Sequence, residues 1–440
     1  MNYIHKFRHW KFLVFLLIIL ITGCGKKETP SDETADTITV GETEITWWAF
    51  PVFAQENSGD KAGTYERKII AAFEKENPDI QVKLSMLDYT NGPERLSLAL
   101  QNNEACDVLL DAPGRIIAYG QQGYLASLDD MFTSEFTQDI DNEELANACR
   151  SSDTAYMYPL SSAPFYMAFN RDMLEQAGVL DLVKEGWTTE DFTQVLTALH
   201  ESGYVPGSIF CNGTGGDQGT RAFVANLFDS TVMNESLTQY TLGNEQGIHA
   251  LDYIKSCVDD GLILNGSLLN GTDAIENFVY GRASFSILWG PSQQNSYADL
   301  MNTYGVDTVE VPLPSEDGES ALEYLVNGFC IMDSKDEKKI EASKRFLQFL
   351  CDDPEWGPKN VTRTGCIPVR SSFGNLYQGD IRMEDIAKWT QYYIPYYNTV
   401  KGFASMREAW SDTLYDVLEN YSTPEDALAD FEETSNQSLQ

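Results

Sequence analysis

The order of strands and helices near the start of the sequence restricts this chain to a small group of folds. Residues 45–48 and 107–111 form short β-rich runs, and residues 80–86 alternate apolar and polar side chains as a strand does. Residues 65–77 and 93–103 carry apolar side chains at helical spacing between these runs. Strand, helix, strand, helix, strand is the pattern of an α/β fold with a largely parallel sheet.

Two short segments further along the chain are candidates for crossings between domains. Small residues and a proline at 161–164 separate the extended runs 156–159 and 165–169. Pro312 and Pro314 follow another predicted strand at 306–311. A chain that builds one α/β lobe, crosses to a second and returns forms a hinge. A ligand would then lie in the cleft between the lobes.

Helix start and stop signals support this organisation. Gly178 occupies a position typical of a helix C-cap, and Thr188 to Asp191 resembles a capping box. Thr423 before Pro424 predicts the start of the last helix. Further helices are predicted at about 114–123, 142–150, 244–260, 272–280 and 336–351, and further strands at 283–289 and 324–332.

The N-terminus predicts export. Lys6, Arg8 and Lys11 precede the apolar run Phe12 to Ile21, whose ten residues rise only ~15 Å as a helix and cannot span a bilayer. Cys24 follows directly and resembles the lipidated cysteine of a bacterial lipobox. We therefore expect a signal peptide at 1–23, lipidation of Cys24, a flexible linker at 24–43 and attachment to the outer face of the cell membrane. An ordinary signal peptide followed by a cysteine is the alternative.

Charge excludes several classes of partner. The chain has 440 residues and a formal charge of −37. Loss of the three basic leader residues makes the mature chain about −40. A surface this acidic repels nucleic acid and anionic membranes, so neither is an expected partner.

Histidine and cysteine usage argues against catalysis and metal binding. Only His200 and His249 remain after the leader, and both fall in predicted helices. Seven cysteines remain after Cys24, an odd number without CxxC spacing. Nucleophilic triads and transition-metal sites therefore have few candidate residues, and no cofactor or metal is expected.

Several blocks, taken in order, resemble the group 1 extracellular solute-binding proteins, the maltose-binding-protein-like receptors of ABC importers. The blocks are YERKIIAAFEKENPDIQVKL (65–84), CDVLLDAPGRIIAYGQQGYLASLDD (106–130), YPLSSAPFYMAFNRDMLEQAGV (158–179), GWTTEDF (186–192), GRASFSILWGP (281–291), YGVDTVEVPLP (304–314) and SKRFLQFLCDDPE (343–355). Each block alone is weak, but the ordered set covers about residues 44–430. The likeness departs at Phe169 to Asp172, where Tyr-Asn-Lys-Asp is usual.

The resemblance implies a two-lobed, type II periplasmic-binding-protein-like fold with three hinge crossings. The lobes would comprise residues 44–160 with 312–352, and residues 164–308 with 355–435. It also implies a monomeric, non-enzymatic receptor that captures a mono- or oligosaccharide and delivers it to an ABC permease. A receptor requires only a difference in ligand affinity between its open and closed states.

Sugars present apolar ring faces and polar edges, which aromatic and planar polar side chains match. The candidate ligand-binding residues are Trp48, Asp111, Arg115, Tyr166, Asp217, Trp289, Arg370 and Arg407.

Strand ends supply the first of these candidates. Trp47 and Trp48 end the first strand, and the alternation of side chains along a strand places one in the core and one toward the cleft. We favour Trp48 as the one that faces the cleft. Asp111 ends a buried strand, where α/β sheets bind ligands, although it could be a helix cap. By the resemblance, Arg115 takes the place of a ligand-contacting arginine, and Trp289 lies near a turn that often carries a sugar-stacking tryptophan. A lobe-core tryptophan is the alternative for Trp289.

The remaining candidates come from the crossing, a loop and the C-terminal part of the chain. Tyr166 lies at the crossing, where it would cap a ligand or pack the hinge. Asp217 lies in the glycine-rich loop 211–220, which lacks the ending of a phosphate loop. Arg370 ends the segment GCIPVR, and Arg407 falls near an expected cleft helix; either could be a surface charge.

Two other functions stay open. A surface glycoside hydrolase needs only two carboxylates across a cleft, and the chain has 67 acidic residues. The same scaffold could also bind a polyol, a polyamine or a metal ion.

Overall fold

The structure is a computed structural model that describes residues 43–57, 59–88, 91–102, 104–213, 217 and 219–440. The predicted signal peptide, Cys24 and the linker up to residue 42 lie outside the described residues. The strands are β1 Thr43–Ala49, β2 Ile80–Met86, β3 Val108–Asp111, β4 Arg150–Ser151, β5 Thr154–Ala155, β6 Tyr158–Pro164, β7 Tyr166–Asn170, β8 Ser208–Phe210, β9 Leu264–Gly266, β10 Phe285–Trp289, β11 Thr308–Val311, β12 Tyr324–Ile331 and β13 Ile367–Pro368.

The helices alternate with these strands over most of the chain. They are α1 Thr64–Glu76, α2 Gly92–Asn102, α3 Pro113–Gln121, α4 Ser134–Asp139, α5 Glu143–Asn147, α6 Arg171–Ala177, α7 Thr189–Glu201, α8 Thr220–Leu227, α9 Glu245–Asp259, α10 Gly271–Val279, α11 Pro291–Tyr304, α12 Glu337–Cys351, α13 Trp356–Thr364, α14 Ile381–Lys388, α15 Phe403–Leu418 and α16 Pro424–Ser438. Within the described ranges, none of these helices is both long and apolar enough to cross a membrane.

Six strands form a large mixed sheet in the order β13-β6-β12-β3-β1-β2. β1 runs parallel to both β2 and β3, as the strand–helix alternation predicts. β12 is antiparallel to its neighbours β3 and β6. The parallel arrangement brings the carboxyl ends of β1 and β3 to one edge of the sheet, where Asp111 lies.

Three strands form a small antiparallel sheet with β7 between β10 and β11. Phe165 alone separates β6 of the large sheet from β7 of the small one. The chain therefore changes sheets at Phe165 and not within 161–164. Ser161 and Ser162 continue β6 because they pair with Asn327 and Val326 of β12.

The predicted caps are confirmed. Thr188 accepts from the backbone N–H of Asp191, whose side chain accepts from the Thr188 N–H, and α7 begins there. Gly178 ends α6 with a φ of 74°, and Thr423 caps α16. The helix predicted at 142–150 is shorter than expected, because α5 ends at Asn147 and the chain turns into β4.

Two hydrophobic clusters hold the sheets and helices together. One lies between β1 and the helices α1 and α12, where the ring of Trp47 packs 5.3 Å from that of Phe346. The larger cluster surrounds the small sheet and includes Trp187 and Trp410. Every cysteine in the described part of the chain is buried and free, which agrees with a packing role.

Candidate functional site

One cavity contains two of the predicted ligand residues. It has a volume of about 500 Å³ and lies between one face of α15 and the loops that follow β8 and β9. Its lining includes Asp217 and Arg407, with Glu408, Asp412 and Tyr415 from the same face of α15. The spacing of these α15 residues, three or four apart, places their side chains together.

Asp217 and Arg407 form a two-pronged ion pair at this cavity. The Nε and one terminal nitrogen of Arg407 each donate to a different oxygen of the carboxylate, both at 2.7 Å. Arg221 on α8 donates to the same carboxylate from the buried side. Asp217 is 4% exposed, Arg221 is 2% exposed and Arg407 is 36% exposed. The three side chains therefore form a charged wall that is open to solvent only at Arg407.

The two guanidinium groups determine the charge of Asp217. Burial alone would raise the pKa of this carboxyl, but the charge of Arg221 and the charge and hydrogen bonds of Arg407 outweigh burial and lower it. Asp217 therefore remains ionised and accepts hydrogen bonds over the whole neutral range.

Local contacts hold the loop that carries Asp217. Thr220 donates to the backbone oxygen of Asp217 at 3.0 Å, and Trp410 of α15 donates to the Thr220 hydroxyl at 2.8 Å. Gly219 has a φ of 78°, a left-handed conformation that favours glycine. A β-carbon there would also lie 2.8 Å from Leu288. Backbone conformation and lack of space therefore both favour glycine in this turn.

Asp111 and Arg115 form a second pair at the carboxyl edge of the large sheet. The Nε of Arg115 donates to Asp111 at 2.8 Å, and the Asp111 carboxylate also accepts from the N–H of Ala112. Asp111 is buried, whereas the side chain of Arg115 is 48% exposed. Asp111 thus holds the start of α3 and orients an arginine that reaches solvent.

The helix that carries Arg115 lies close to the segment that leads into α15. A β-carbon on Gly114 of α3 would lie 3.3 Å from the backbone oxygen of Asn398 and 3.9 Å from the ring of Phe403. The Phe403 ring in turn lies 5.8 Å from the guanidinium carbon of Arg407. Phe403 therefore connects the start of α3, on the large sheet, with the wall of the cavity. We call these residues (Asp111, Arg115, Asp217, Phe403 and Arg407) the inter-sheet site.

Trp289 and Tyr166 lie together but in the interior. They are paired neighbours on β10 and β7, and neither side chain reaches solvent. Trp289 donates to Gln294 at 3.2 Å and packs against Phe278. Tyr166 packs edge-on to Trp389, and burial raises its pKa well above the usual range. In this conformation both aromatic rings pack protein, and their contact with a ligand stays a prediction.

Trp48 and Trp47 point to opposite faces of β1, as strand alternation requires. Trp47 is fully buried, and Trp48 is half-buried beneath Arg95, whose guanidinium carbon lies 4.4 Å from its ring centre. Trp48 lines a shallow depression beside α2. The structure thus does not bring Trp48 together with Asp217 and Arg407 at their cavity.

Arg370 lies in the interior, away from the inter-sheet site. It donates to Asp352 at 2.7 and 3.0 Å, and its guanidinium carbon lies 4.0 Å from the ring of Phe136. Only 3% of its side chain is exposed. Its neighbours are those of a structural ion pair, and ligand contact by Arg370 stays a prediction.

The sequence reasoning missed Arg221, Glu323 and Phe403. Arg221 carried a usable signal, because it is the only charged residue in the helix TRAFVANL, whose other residues are uncharged and mostly apolar. A charge in such a stretch is normally paired when it is buried. Glu323 and Phe403 gave no comparable signal, since their importance comes from contacts with residues far away in sequence.

Comparison with known proteins identifies the family. The family model for the bacterial extracellular solute-binding protein matches residues 57–354, which is more than half of the chain. The melibiose/raffinose/stachyose-binding protein MelE of Bacillus subtilis is 31% identical over 195 residues, covering 43% of this chain and 40% of MelE. The match therefore spans less than half of that relative. A maltooligosaccharide ABC transporter solute-binding lipoprotein of Streptococcus pneumoniae is 22% identical over 355 residues, 77% of this chain and 74% of the relative.

Solved structures confirm the predicted fold class. An ABC substrate-binding protein of Listeria monocytogenes, solved with cycloalternan, superposes with a TM-score of 0.71 at 19% identity, covering 90% of this chain and 99% of that one. The cyclic α-maltosyl-1,6-maltose binding protein of Arthrobacter globiformis gives 0.73 at 16% identity, over 91% and 99% of the two chains. MelE and the maltooligosaccharide relative are both named as solute-binding proteins, in agreement with the expectation of a receptor. The chain belongs to the bacterial extracellular solute-binding protein family.

Proposed function

We propose that this protein is the lipid-anchored, extracellular receptor of an ABC importer and that it binds a mono- or oligosaccharide at the inter-sheet site. The observation that carries the proposal is the cavity of about 500 Å³ walled by the Asp217–Arg407 pair. Its volume lies within the ~300–1,000 Å³ typical of small-molecule sites. Relatives named for saccharides support the choice of ligand class.

The chemistry of the wall suits a neutral polyhydroxylated ligand. Carboxylates accept from sugar hydroxyls and guanidinium groups donate to them, so an Asp–Arg pair can bind both kinds of hydroxyl edge. Tyr415 and Leu268 supply apolar surface on the same cavity for a ring face. No bond is broken in this process, and a hydrolase is the less favoured function.

We further propose that binding draws together the parts of the protein that carry the two sheets. The predicted lobes, 44–160 with 312–352 and 164–308 with 355–435, are the basis of this proposal. The passages between sheets at Phe165 and between β11 and β12 support it. We change the predicted boundary at one place: because β13 pairs with β6, we assign residues 356–368 to the lobe of the large sheet and not to the second lobe.

A thermal-shift series on the full chain in detergent tests the ligand class. The probes are raffinose, maltotriose, cycloalternan, sorbitol, spermidine and Mn²⁺. A ligand at 100 times its dissociation constant adds ~2.7 kcal/mol of stability, which raises the melting temperature visibly. We expect a saturable rise with a saccharide, and loss of that rise in Arg407→Met. Arg171→Met is the matched control, because Arg171 is 40% exposed and pairs with Asp307 at 2.7 Å beside the small sheet.

Four outcomes would contradict this proposal. A rise only with spermidine or Mn²⁺ would make the ligand a cation, and a rise only with sorbitol would make it a polyol. Release of monosaccharide from raffinose or maltotriose would make the protein a hydrolase. A saccharide response that survives in Arg407→Met would move the site away from the cavity.

The anchor and the permease need separate measurements. Metabolic labelling with an alkyne fatty acid should mark the full chain in bacterial membranes, and Cys24→Ser should abolish both the label and retention in the membrane fraction. Label that persists in Cys24→Ser would place the lipid elsewhere. Sugar uptake by cells lacking the receptor should return only when receptor and its ABC permease are both present.

A further inference from the structure

The two arginines that hold Asp217 differ in their freedom to move. Arg221 is 2% exposed and Arg407 is 36% exposed. Arg407 therefore has solvent on one side, whereas Arg221 is enclosed by protein. If Arg407 left, Asp217 would keep one charged partner, and the cost of a buried unpaired carboxylate would be avoided.

Arg221 also contacts a second carboxylate. Its Nε donates to the hydroxyl of Tyr397 at 2.9 Å and lies 3.4 Å from Glu323. The Tyr397 hydroxyl donates to the same Glu323 carboxylate. Glu323 is 5% exposed, so Asp217, Arg221, Tyr397 and Glu323 form one continuous buried network.

This network ends where the chain passes between the sheets. The backbone N–H of Phe165 donates to the backbone oxygen of Glu323 at 2.8 Å. Phe165 is the single residue between β6 and β7, and Glu323 directly precedes β12. A displacement of Arg221 would therefore shift the backbone at the crossing, because every group between them is in direct contact with the next.

We propose that Arg221 is a positioning residue of the ligand site. It holds Asp217 in place while the Arg407 guanidinium leaves Asp217 and binds the saccharide. Through Glu323, Arg221 also links this transfer to the crossing at Phe165. The transfer frees one oxygen of Asp217 to accept from a ligand hydroxyl. The ligand part of this inference rests on the proposed function, whereas the link to the crossing concerns the protein without ligand.

Hydrogen exchange of the ligand-free full chain tests the link. In Arg221→Met, amides of residues 163, 165–167 and 322–325 should exchange about tenfold faster than in the wild type, because the support of Glu323 is lost. Arg407→Met should leave the same amides within about twofold of the wild type. Arg370→Met is the matched control, since Arg370 is 3% exposed and pairs with a carboxylate outside the network. It should lower stability without selective change at those amides.

Two results would overturn the link. One is equal acceleration in Arg370→Met and Arg221→Met, which would mean general loosening. The other is unchanged exchange in Arg221→Met. If that variant does not fold, Glu323→Gln replaces it and must show the same local acceleration, because the Arg221 charge then lacks its partner at the crossing.

Titration with the saccharide found in the thermal-shift series tests the transfer. Arg407→Met should weaken binding at least about tenfold while its urea midpoint without ligand stays near that of the wild type. Arg221→Lys, which keeps the charge but not the fork geometry, should weaken binding and lower the midpoint together. A large fall of the ligand-free midpoint in Arg407→Met would show that Arg407 is a fixed structural partner and would refute the transfer. If no saccharide binds, the proposed function fails while the exchange experiment still decides the link.

Discussion

Asp217 shows at the scale of a residue how a buried charge is kept in a binding protein. Burial works against its ionised form, and Arg221 and Arg407 more than offset that effect. Because the partners differ in exposure, Arg221 holds the carboxylate from the buried side and Arg407 covers it on the solvent side. Arg370 is the opposite case, a buried arginine whose ion pair and aromatic neighbours enclose it.

The lowered pKa of Asp217 predicts a specific dependence on pH. The folded-state pKa lies below the unfolded value of about 3.9, so the stabilisation is complete above that value and is lost as pH falls through the folded pKa. We expect the free energy of unfolding of Asp217→Asn to fall less steeply below about pH 4 than that of the wild type. Urea unfolding between pH 6 and 3 measures this.

Asp307→Asn provides the control for that series. Asp307 pairs with Arg171 at the surface, where ion pairs contribute little. It should keep the acid slope of the wild type. Identical slopes in Asp217→Asn and wild type would refute the role of Asp217 in acid stability.

At the scale of elements, α3 and α7 are placed by different means. α7 begins through a local signal, the reciprocal hydrogen bonds of Thr188 and Asp191. α3 is placed by close contact, since a β-carbon on Gly120 would lie 2.5 Å from the ring of Tyr156. The position of α3 matters for the site, because this helix carries Arg115.

Removal of the α7 cap should give a modest loss of stability. Thr188→Ala leaves the N–H of Asp191 without its side-chain acceptor, and we expect a loss of about 1 kcal/mol. Chemical denaturation measures it, and Thr188→Ser, which keeps the hydroxyl, should lose much less. A similar loss in both variants would assign the effect to the methyl group and not to the cap.

Enlargement of Gly120 should disturb the inter-sheet site from a distance. Gly120→Ala forces α3 away from Tyr156, and we expect a loss of about 1–3 kcal/mol. Gly123→Ala is not a suitable control because of its positive φ. The double variant Gly120→Ala with Tyr156→Ala should recover part of the loss, and a purely additive result would contradict the steric explanation.

At the scale of the whole molecule, charge and topology act independently. A formal charge of −37 spreads over the chain and opposes compaction, whereas the two sheets depend on pairing between distant segments. The chain passes between the two sheets at Phe165 and again between β11 and β12. The hydrogen bond between Phe165 and Glu323 holds these two passages side by side.

The net charge predicts that salt stabilises the fold. The screening length falls from ~30 Å at 0.01 M to ~8 Å at 0.15 M, so repulsion between carboxylates weakens over that range. The melting temperature of the full chain should therefore rise between these concentrations, equally with sodium chloride and choline chloride. A rise with only one salt would indicate binding of a specific ion, and no rise would refute the argument.

The sequence by itself determined the elements and the family. Apolar periodicity, the caps at Thr188 and Thr423 and the glycine at 178 are local signals that act over a few residues, and each agrees with the structure. The parallel order of β1 to β3 followed because short strand–helix–strand connections permit little else. The sequence could also have predicted that Arg221, near the start of α8, is a buried and paired arginine.

Only the tertiary structure decided which candidates meet. Asp217 and Arg407 are 190 positions apart, and no local pattern specifies that their side chains share a hydrogen-bonded pair. Trp289 and Arg370 carry side chains suited to a sugar, but packing around β10 and beside Phe136 encloses them. Periodicity fixes the face on which a side chain lies, whereas its neighbours depend on how distant elements pack.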